Sequence, residues 1–241
     1  MDWSLQDRVA VVTGGSRGIG FGVVEALLAE GARVLFCGRD PERVNEACKG
    51  LRRNWGDRVH SIVADVRIYH NVESIFNTVE QRFGRLDILV NNAGVGVFGN
   101  VEELTLEEWH SCLDTNLTAV FYCCKYGIPL LKRSGGGFIV NVSSLAGRNA
   151  FPGGAAYNAS KFGLNGFSEA LFQEVRYDNI RVTCIAPGSV ETEFRGNEPS
   201  PQTWKLLPED VARAVVQIVK FPDRSLPSYL EIRPSKPMKR K

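Results

Sequence analysis

The chain has 241 residues, a length that suits one large α/β domain or two small ones. Hydrophobic residues make up 44% and charged residues 23%, a globular balance that excludes disorder over most of the length. Lys and Arg total 29 against 27 Asp and Glu, and a net charge of +2 leaves no broad basic face for nucleic acid.

The N-terminus carries no basic leader, and its first apolar run, Val9 to Val12, is too short for a signal core or a membrane span. That run lies in the first predicted strand, Arg8–Val12. Next come Thr13-Gly14-Gly15-Ser16-Arg17-Gly18-Ile19-Gly20 and a helical pattern over Ile19–Glu30. The strand Arg33–Cys37 precedes a helix over Pro41–Arg53, opened by Asp40-Pro41. Alternation continues with strand Val59–Ala64, helix Asn71–Phe83, strand Leu86–Asn91 and helix Leu106–Tyr126. It closes with strand Gly137–Ser143, helix Tyr157–Tyr177, strand Ile180–Ala186, helix Glu209–Lys220 and strand Ser228–Ile232. Strands that are apolar on consecutive residues, such as Ile88-Leu89-Val90, are buried on both faces. The alternation therefore predicts a parallel sheet covered by helices on each side. No linker or repeat divides the chain, so residues 1–241 read as one domain that includes a long loop at 188–207. Lys236, Lys239, Arg240 and Lys241 read as a solvated tail. Six cysteines without a CxxC and three scattered histidines give no metal site. They point to reduced thiols in a cytoplasmic protein.

Glycines at 14, 18 and 20, between the first strand and helix, allow a tight turn and close approach of backbone N–H groups to a phosphate. The spacing G-x-x-x-G-x-G lacks the Gly-Lys-Ser/Thr of a P-loop, which disfavours kinase or ATPase chemistry. An NAD-preferring site places an acid about 20 residues later for the ribose 2′-hydroxyl. Here Gly38 and Arg39 stand at that place, with Arg17 inside the turn, and two guanidiniums without a carboxylate suit the 2′-phosphate of NADP(H). At the other end of the chain, Tyr157 and Lys161 share one helix face at i, i+4. An ammonium there, with a positive nicotinamide ring, lowers a phenol pKa from its usual value of about 10 toward neutrality. Ser144, closing the fifth strand, is placed to donate to a carbonyl oxygen.

Thr13-Gly14-x-x-x-Gly18-x-Gly20, Asp65-Val66, Asn91-Asn92-Ala93-Gly94, Asn116, Ser144, Tyr157-x-x-x-Lys161 and Pro187-Gly188-x-x-x-Thr192 occur in order over about residues 5 to 195. Each motif is loose alone, but the ordered set resembles the short-chain dehydrogenase/reductase family. The resemblance implies a Rossmann fold, doubly wound, with seven parallel strands in the order 3-2-1-4-5-6-7. It implies that Ser144 polarises the substrate carbonyl and that Tyr157 is the general acid or base. Lys161 would bind the nicotinamide ribose and lower the Tyr157 pKa, and Asn116 would hold a relay water. Gly14, Ser16, Arg17, Gly18, Ile19, Gly20, Gly38 and Arg39 would hold the nucleotide. Asp65 and Val66 would meet the adenine; Asn92, Ala93 and Gly94 the middle of the cofactor; Pro187, Gly188, Val190 and Thr192 the nicotinamide end.

The implied activity is NADP(H)-dependent hydride transfer between a ketone and a secondary alcohol. Its apolar pocket would be built from Val95, Ser144, Leu145, Ala146, Phe151 and Phe194. The last strand, Ser228-Tyr229-Leu230-Glu231-Ile232, resembles the general carbonyl reductase branch. It lacks the Val-Asp-Gly-Gly ending of bacterial 3-oxoacyl-carrier-protein reductases, which remain the alternative. A catalytically silent NADP(H) sensor is the rival of another class, and the complete set Asn116, Ser144, Tyr157 and Lys161 argues against it. Family members commonly pair their long helices across a two-fold axis. Phe162, Phe167, Leu171 and Phe172 show more than one apolar face, so a homodimer or homotetramer is expected, with a small-molecule substrate and neither membrane nor nucleic acid as partner.

Overall fold

Residues 3–195 and 204–237 are described by a computed structural model. Residues 196–203 of the predicted long loop and Lys239, Arg240 and Lys241 of the basic tail lie outside the described residues.

Seven strands form one sheet in the order β3-β2-β1-β4-β5-β6-β7, every neighbour pair parallel. They are β1 (Val9–Thr13), β2 (Arg33–Gly38), β3 (Val59–Val63), β4 (Ile88–Asn91), β5 (Gly137–Val142), β6 (Ile180–Pro187) and β7 (Tyr229–Ile232). Side chains alternate between the faces, so the apolar runs feed two cores at once. Ala10, Val12, Phe36, Val90 and Val140 face α1 (Gly18–Ala29), α2 (Pro41–Trp55) and α7 (Pro208–Val219). Val9, Val11, Leu35, Leu89 and Ile139 face α3 (Tyr69–Phe83), α5 (Ala119–Arg133) and α6 (Ala155–Val175).

The helix starts follow local chemistry. Asp40 accepts from the N–H groups of Glu42 and Arg43 at the head of α2. Thr105 and Glu108 cap each other's backbone at the head of α4 (Leu106–Leu113). Buried Asp87, just before β4, accepts from Arg8 Nη1 (2.8 Å), Arg85 Nε (2.8 Å) and Nη2 (2.6 Å) and the Val9 N–H (2.9 Å). That carboxylate ties the entries of β1 and β4 together.

Two expectations are corrected. The single helix over Leu106–Tyr126 is two helices, α4 and α5, joined through a π turn at Asp114–Thr118, and α5 runs on to Arg133. The fifth strand ends at Val142, so Ser144 stands beyond it as the cap of a 3₁₀ turn at Leu145–Gly147. The order of the sheet reverses between β1 and β4, and ligands of open α/β sheets bind in the crevice beyond the strand ends at such a point.

Candidate active site

Thr13 ends β1 and locks this crevice. Its Oγ1 accepts from the N–H groups of Asn92 and Ala93, both at 3.0 Å, while Asn92 Nδ2 donates to the carbonyls of Thr13 (2.9 Å) and Gly14 (3.1 Å). The loops after β1 and β4 are thereby held as one unit. Gly18 has φ +55°, in the left-handed region. A Cβ at Gly20 would stand 2.1 Å from the Gly14 carbonyl oxygen, so only glycine lets α1 start so close to β1. No side chain caps α1 and its first turn holds no acid, which leaves its leading N–H groups and positive dipole end for an outside anion.

Gly38 at the end of β2 has no room for a side chain, because a Cβ would come within 3.0 Å of Ser16 Oγ and 2.8 Å of Val44. Asp65 accepts from the Arg67 guanidinium (2.6 Å) and backbone N–H (3.0 Å), which hold its carboxyl below the usual range; Val66 beside it is buried. Arg39 is exposed and adds to the field on Asp65. Arg17 and Arg43 converge on one oxygen of Glu193, each at 2.7 Å. Neither Arg43 nor Glu193 stands in a motif, so the sequence gives no signal for them. The uncapped α1 turn and the guanidiniums of Arg17 and Arg43 fit a nucleotide bearing a phosphate on its ribose.

The second group of expected site residues comes from α6, the π turn and the segments after β4 and β5. Tyr157 and Lys161 are both buried, one turn apart on α6, with Lys161 Nζ 5.8 Å from the Tyr157 ring centre. Lys161 Nζ donates to the Val142 carbonyl (2.9 Å), and burial pulls its pKa down to about 8. Asn116 projects from the π turn. Its Oδ1 accepts from the Val95 N–H (2.8 Å), and its Nδ2 donates to the Val95 carbonyl (2.9 Å) and to Ser160 Oγ (3.0 Å). Ser160 Oγ in turn donates to the Tyr157 carbonyl (2.8 Å). Asn116 therefore fastens the loop after β4 to the helix that carries Tyr157. Gly94 lies between them, where a Cβ would stand 3.3 Å from Asn116 Oδ1 and 3.8 Å from Lys161 Nζ. Ser144 Oγ accepts from the Ala146 N–H (3.1 Å), which leaves its own proton to donate; Ser143 Oγ is turned to Asn165 (2.7 Å).

Around Tyr157 stand three exposed phenylalanines. Phe98 and Phe194 have ring centres 5.3 and 5.9 Å from that of Tyr157, and Phe151 lies 6.1 Å from Phe98. Phe151 and Phe194 were expected here. Phe98 was not, since it follows the Asn91–Gly94 motif with no pattern of its own. Ala146 is buried in a small cluster with Tyr157, Leu145 abuts Gly188, and Val95 is held through its backbone. Beyond Pro187 the chain turns back over the glycine turn. The Gly188 N–H donates to the Ile232 carbonyl (2.7 Å), Val190 pairs with Leu206, and the Thr192 methyl lies 3.3 Å from where a Gly18 Cβ would be. Ile19, in the first turn of α1, is half-buried against the core between the sheet and α1, α2 and α7. Among the described residues no group of His, Cys, Asp and Glu is set to hold a metal, and no helix is long and apolar enough to cross a membrane.

Comparison with known proteins adds to this geometry. The short chain dehydrogenase family matches residues 8–203. The chain is 36% identical over 221 residues to a 3α-hydroxysteroid dehydrogenase of Mediterraneibacter gnavus, covering 87% of this chain and 88% of that one. It is 38% identical over 194 residues to a 3-oxoacyl-[acyl-carrier-protein] reductase of Chlamydia muridarum, covering 80% and 78%. Among solved structures, an alcohol dehydrogenase of Thermococcus sibiricus complexed with 5-hydroxy-NADP superposes with a TM-score of 0.90 at 29% identity, over 98% of this chain and 100% of that one. An L-sorbose reductase of Gluconobacter frateurii complexed with NADPH and L-sorbose gives 0.88 at 29% identity, over 97% and 98%.

Proposed function

The chain belongs to the short-chain dehydrogenase family, and we propose on that premise that it is an NADP(H)-dependent carbonyl reductase interconverting an apolar ketone and its secondary alcohol. The observation that carries this reading is the buried Tyr157–Lys161 pair on α6, with Lys161 Nζ on the Val142 carbonyl two residues before Ser144 in sequence. The relatives with NADP or NADPH bound support the cofactor.

In this reading Gly14, Ser16, Gly18, Ile19 and Gly20 hold the pyrophosphate with α1's leading N–H groups. Gly38, Arg17 and Arg39 frame the phosphorylated ribose, and Asp65 and Val66 the adenine. Asn92, Ala93 and Gly94 line the middle; Pro187, Gly188, Val190 and Thr192 hold the nicotinamide end. When bound, NADPH supplies the hydride. Ser144 Oγ–H donates to the ketone oxygen and Tyr157 delivers the proton as negative charge develops there. The Lys161 ammonium stabilises the phenolate that Tyr157 becomes, and Asn116 keeps α6 and the β4 loop in register. Val95, Leu145, Ala146, Phe151 and Phe194, joined by Phe98, form an apolar wall that suits a hydrophobic ketone.

The decisive test is Tyr157→Phe with a panel of apolar ketones. Reduction should fall at least about 100-fold, the scale of a lost general acid, with NADPH affinity within about twofold of wild type. A near-normal rate would remove Tyr157 from this role. We further propose a cytoplasmic homo-oligomer acting on small molecules, in keeping with six buried free thiols and exposed apolar residues on α5 and α6.

A further inference from the structure

The Glu193 carboxylate stands where two cations of the crevice meet. It comes from a 3₁₀ turn, Glu193–Arg195, directly after Thr192. Arg17 belongs to the turn after β1, and Arg43 to the first turn of α2. The ion pairs join segments 176 and 150 residues apart in sequence. Both guanidiniums use Nη1 on the same oxygen, Oε2, and all three side chains are about half exposed (51%, 46% and 43% for Arg17, Arg43 and Glu193). The pairs hold the Glu193 carboxyl below its usual range. Asp40 and Glu46 also act on Arg43; Asp40 lies 3.5 Å from Arg43 Nε, and its Oδ1 is occupied capping α2.

The location of this knot gives it a consequence. Ser16 of the turn after β1 and Val44 of α2 both close on Gly38 at the end of β2, and Arg17 and Arg43 are the neighbours of those two residues in sequence. A ribose 2′-phosphate entering there brings close to two negative charges and three acceptor oxygens. Glu193 offers the same cations one charge and one oxygen. Two such anions cannot both be gripped by the same pair of Nη1 donors.

We propose that Glu193 is an internal stand-in for the 2′-phosphate, a specificity-determining residue that Arg17 and Arg43 release when NADP(H) arrives. The inference rests on the NADP(H) reading above and adds a third guanidinium, Arg43, to the two named from the sequence. Glu193 lowers the affinity for NADP(H) and not for NAD(H), because only the phosphorylated cofactor needs the cations it holds. Its release frees the segment that also carries Phe194, one wall of the substrate pocket, so the phosphate and the substrate side are linked through two adjacent residues.

The test is a side-by-side titration of wild type, Glu193→Gln and Arg43→Ala with NADPH and NADH, following nicotinamide fluorescence. Glu193→Gln removes the competing charge while keeping the side chain's shape. NADPH affinity should rise roughly three- to tenfold, the scale of two partly exposed ion pairs, with NADH changed less than about twofold. Arg43→Ala should weaken NADPH about tenfold and leave NADH unaffected. Unchanged or weaker NADPH binding in Glu193→Gln, or equal shifts for both cofactors, would overturn the proposal. Wild-type protein that binds neither cofactor would instead overturn the NADP(H) reading on which it stands.

Discussion

An ammonium group enclosed on every side has lost its hydration, and Lys161 replaces only part of it with one hydrogen bond to the Val142 carbonyl. Its pKa of about 8 in the folded chain lies below the 10.5 of the unfolded chain. Between those values the unfolded state binds more protons, so folding gains stability as pH rises through that window. Unfolding in urea at pH 7 and pH 10, for wild type and Lys161→Met, isolates the effect. The wild type should gain roughly 2 kcal/mol relative to the variant over that interval, and an unchanged difference would mean the ammonium is better solvated than its burial implies. Tyr157 and Lys161 were legible in the sequence because a helix fixes the meaning of a four-residue spacing. Arg43, Glu193 and Phe98 were not, because the head of α2, a 3₁₀ turn and the loop after β4 bring them in separately and no spacing records how such segments converge.

At the scale of elements, the strands were legible because a run such as Ile88-Leu89-Val90 has one low-energy place, between two helical layers. The π turn at Asp114–Thr118 was not, since α4 and α5 together show an unbroken helical pattern and the extra residue leaves the polarity unchanged. That turn matters because it aims Asn116 at Val95 and Ser160. The entry to β4 rests on Asp87, whose removal would leave the Val9 N–H and two arginines without their shared acceptor. We expect Asp87→Ala to lower the unfolding free energy by roughly 3 kcal/mol, discounted because Arg8 and Arg85 are partly exposed. A loss within about 0.5 kcal/mol, the range of ordinary surface changes, would remove Asp87 as the tie between β1 and β4. The opposite end of β1 makes a different demand. A methyl group at Gly20 has no room beside the Gly14 carbonyl, so Gly20→Ala must push α1 away from the turn. Affinity for NADPH should fall at least about tenfold as the leading N–H groups leave the phosphate's reach; unaltered binding would separate the α1 terminus from the cofactor.

For the whole molecule, the alternation of elements implied a covered parallel sheet and the family resemblance its strand order, whereas the outer faces of its helices raise the question of assembly. The surface over α5 and α6 is more apolar than solvation alone would select. Phe121 on α5 and Phe162 on α6 are 47% and 45% exposed, each about one helical turn or less along the chain from the point where Leu117 of the π turn touches Gly163 of α6. Placing both rings against the same rings of a second copy would remove several apolar side chains from water, each worth on the order of 2 kcal/mol when fully covered. A two-fold axis repeats any such contact, so one substitution acts twice in a dimer. Light scattering on the wild-type chain at micromolar concentration should therefore give a multiple of the monomer mass. Phe162→Glu combined with Phe121→Glu should shift it toward the monomer, with the far-ultraviolet circular dichroism of a folded α/β chain retained. A monomeric wild type would refute the assembly. An oligomer indifferent to both substitutions would move its interface to another face of the sheet.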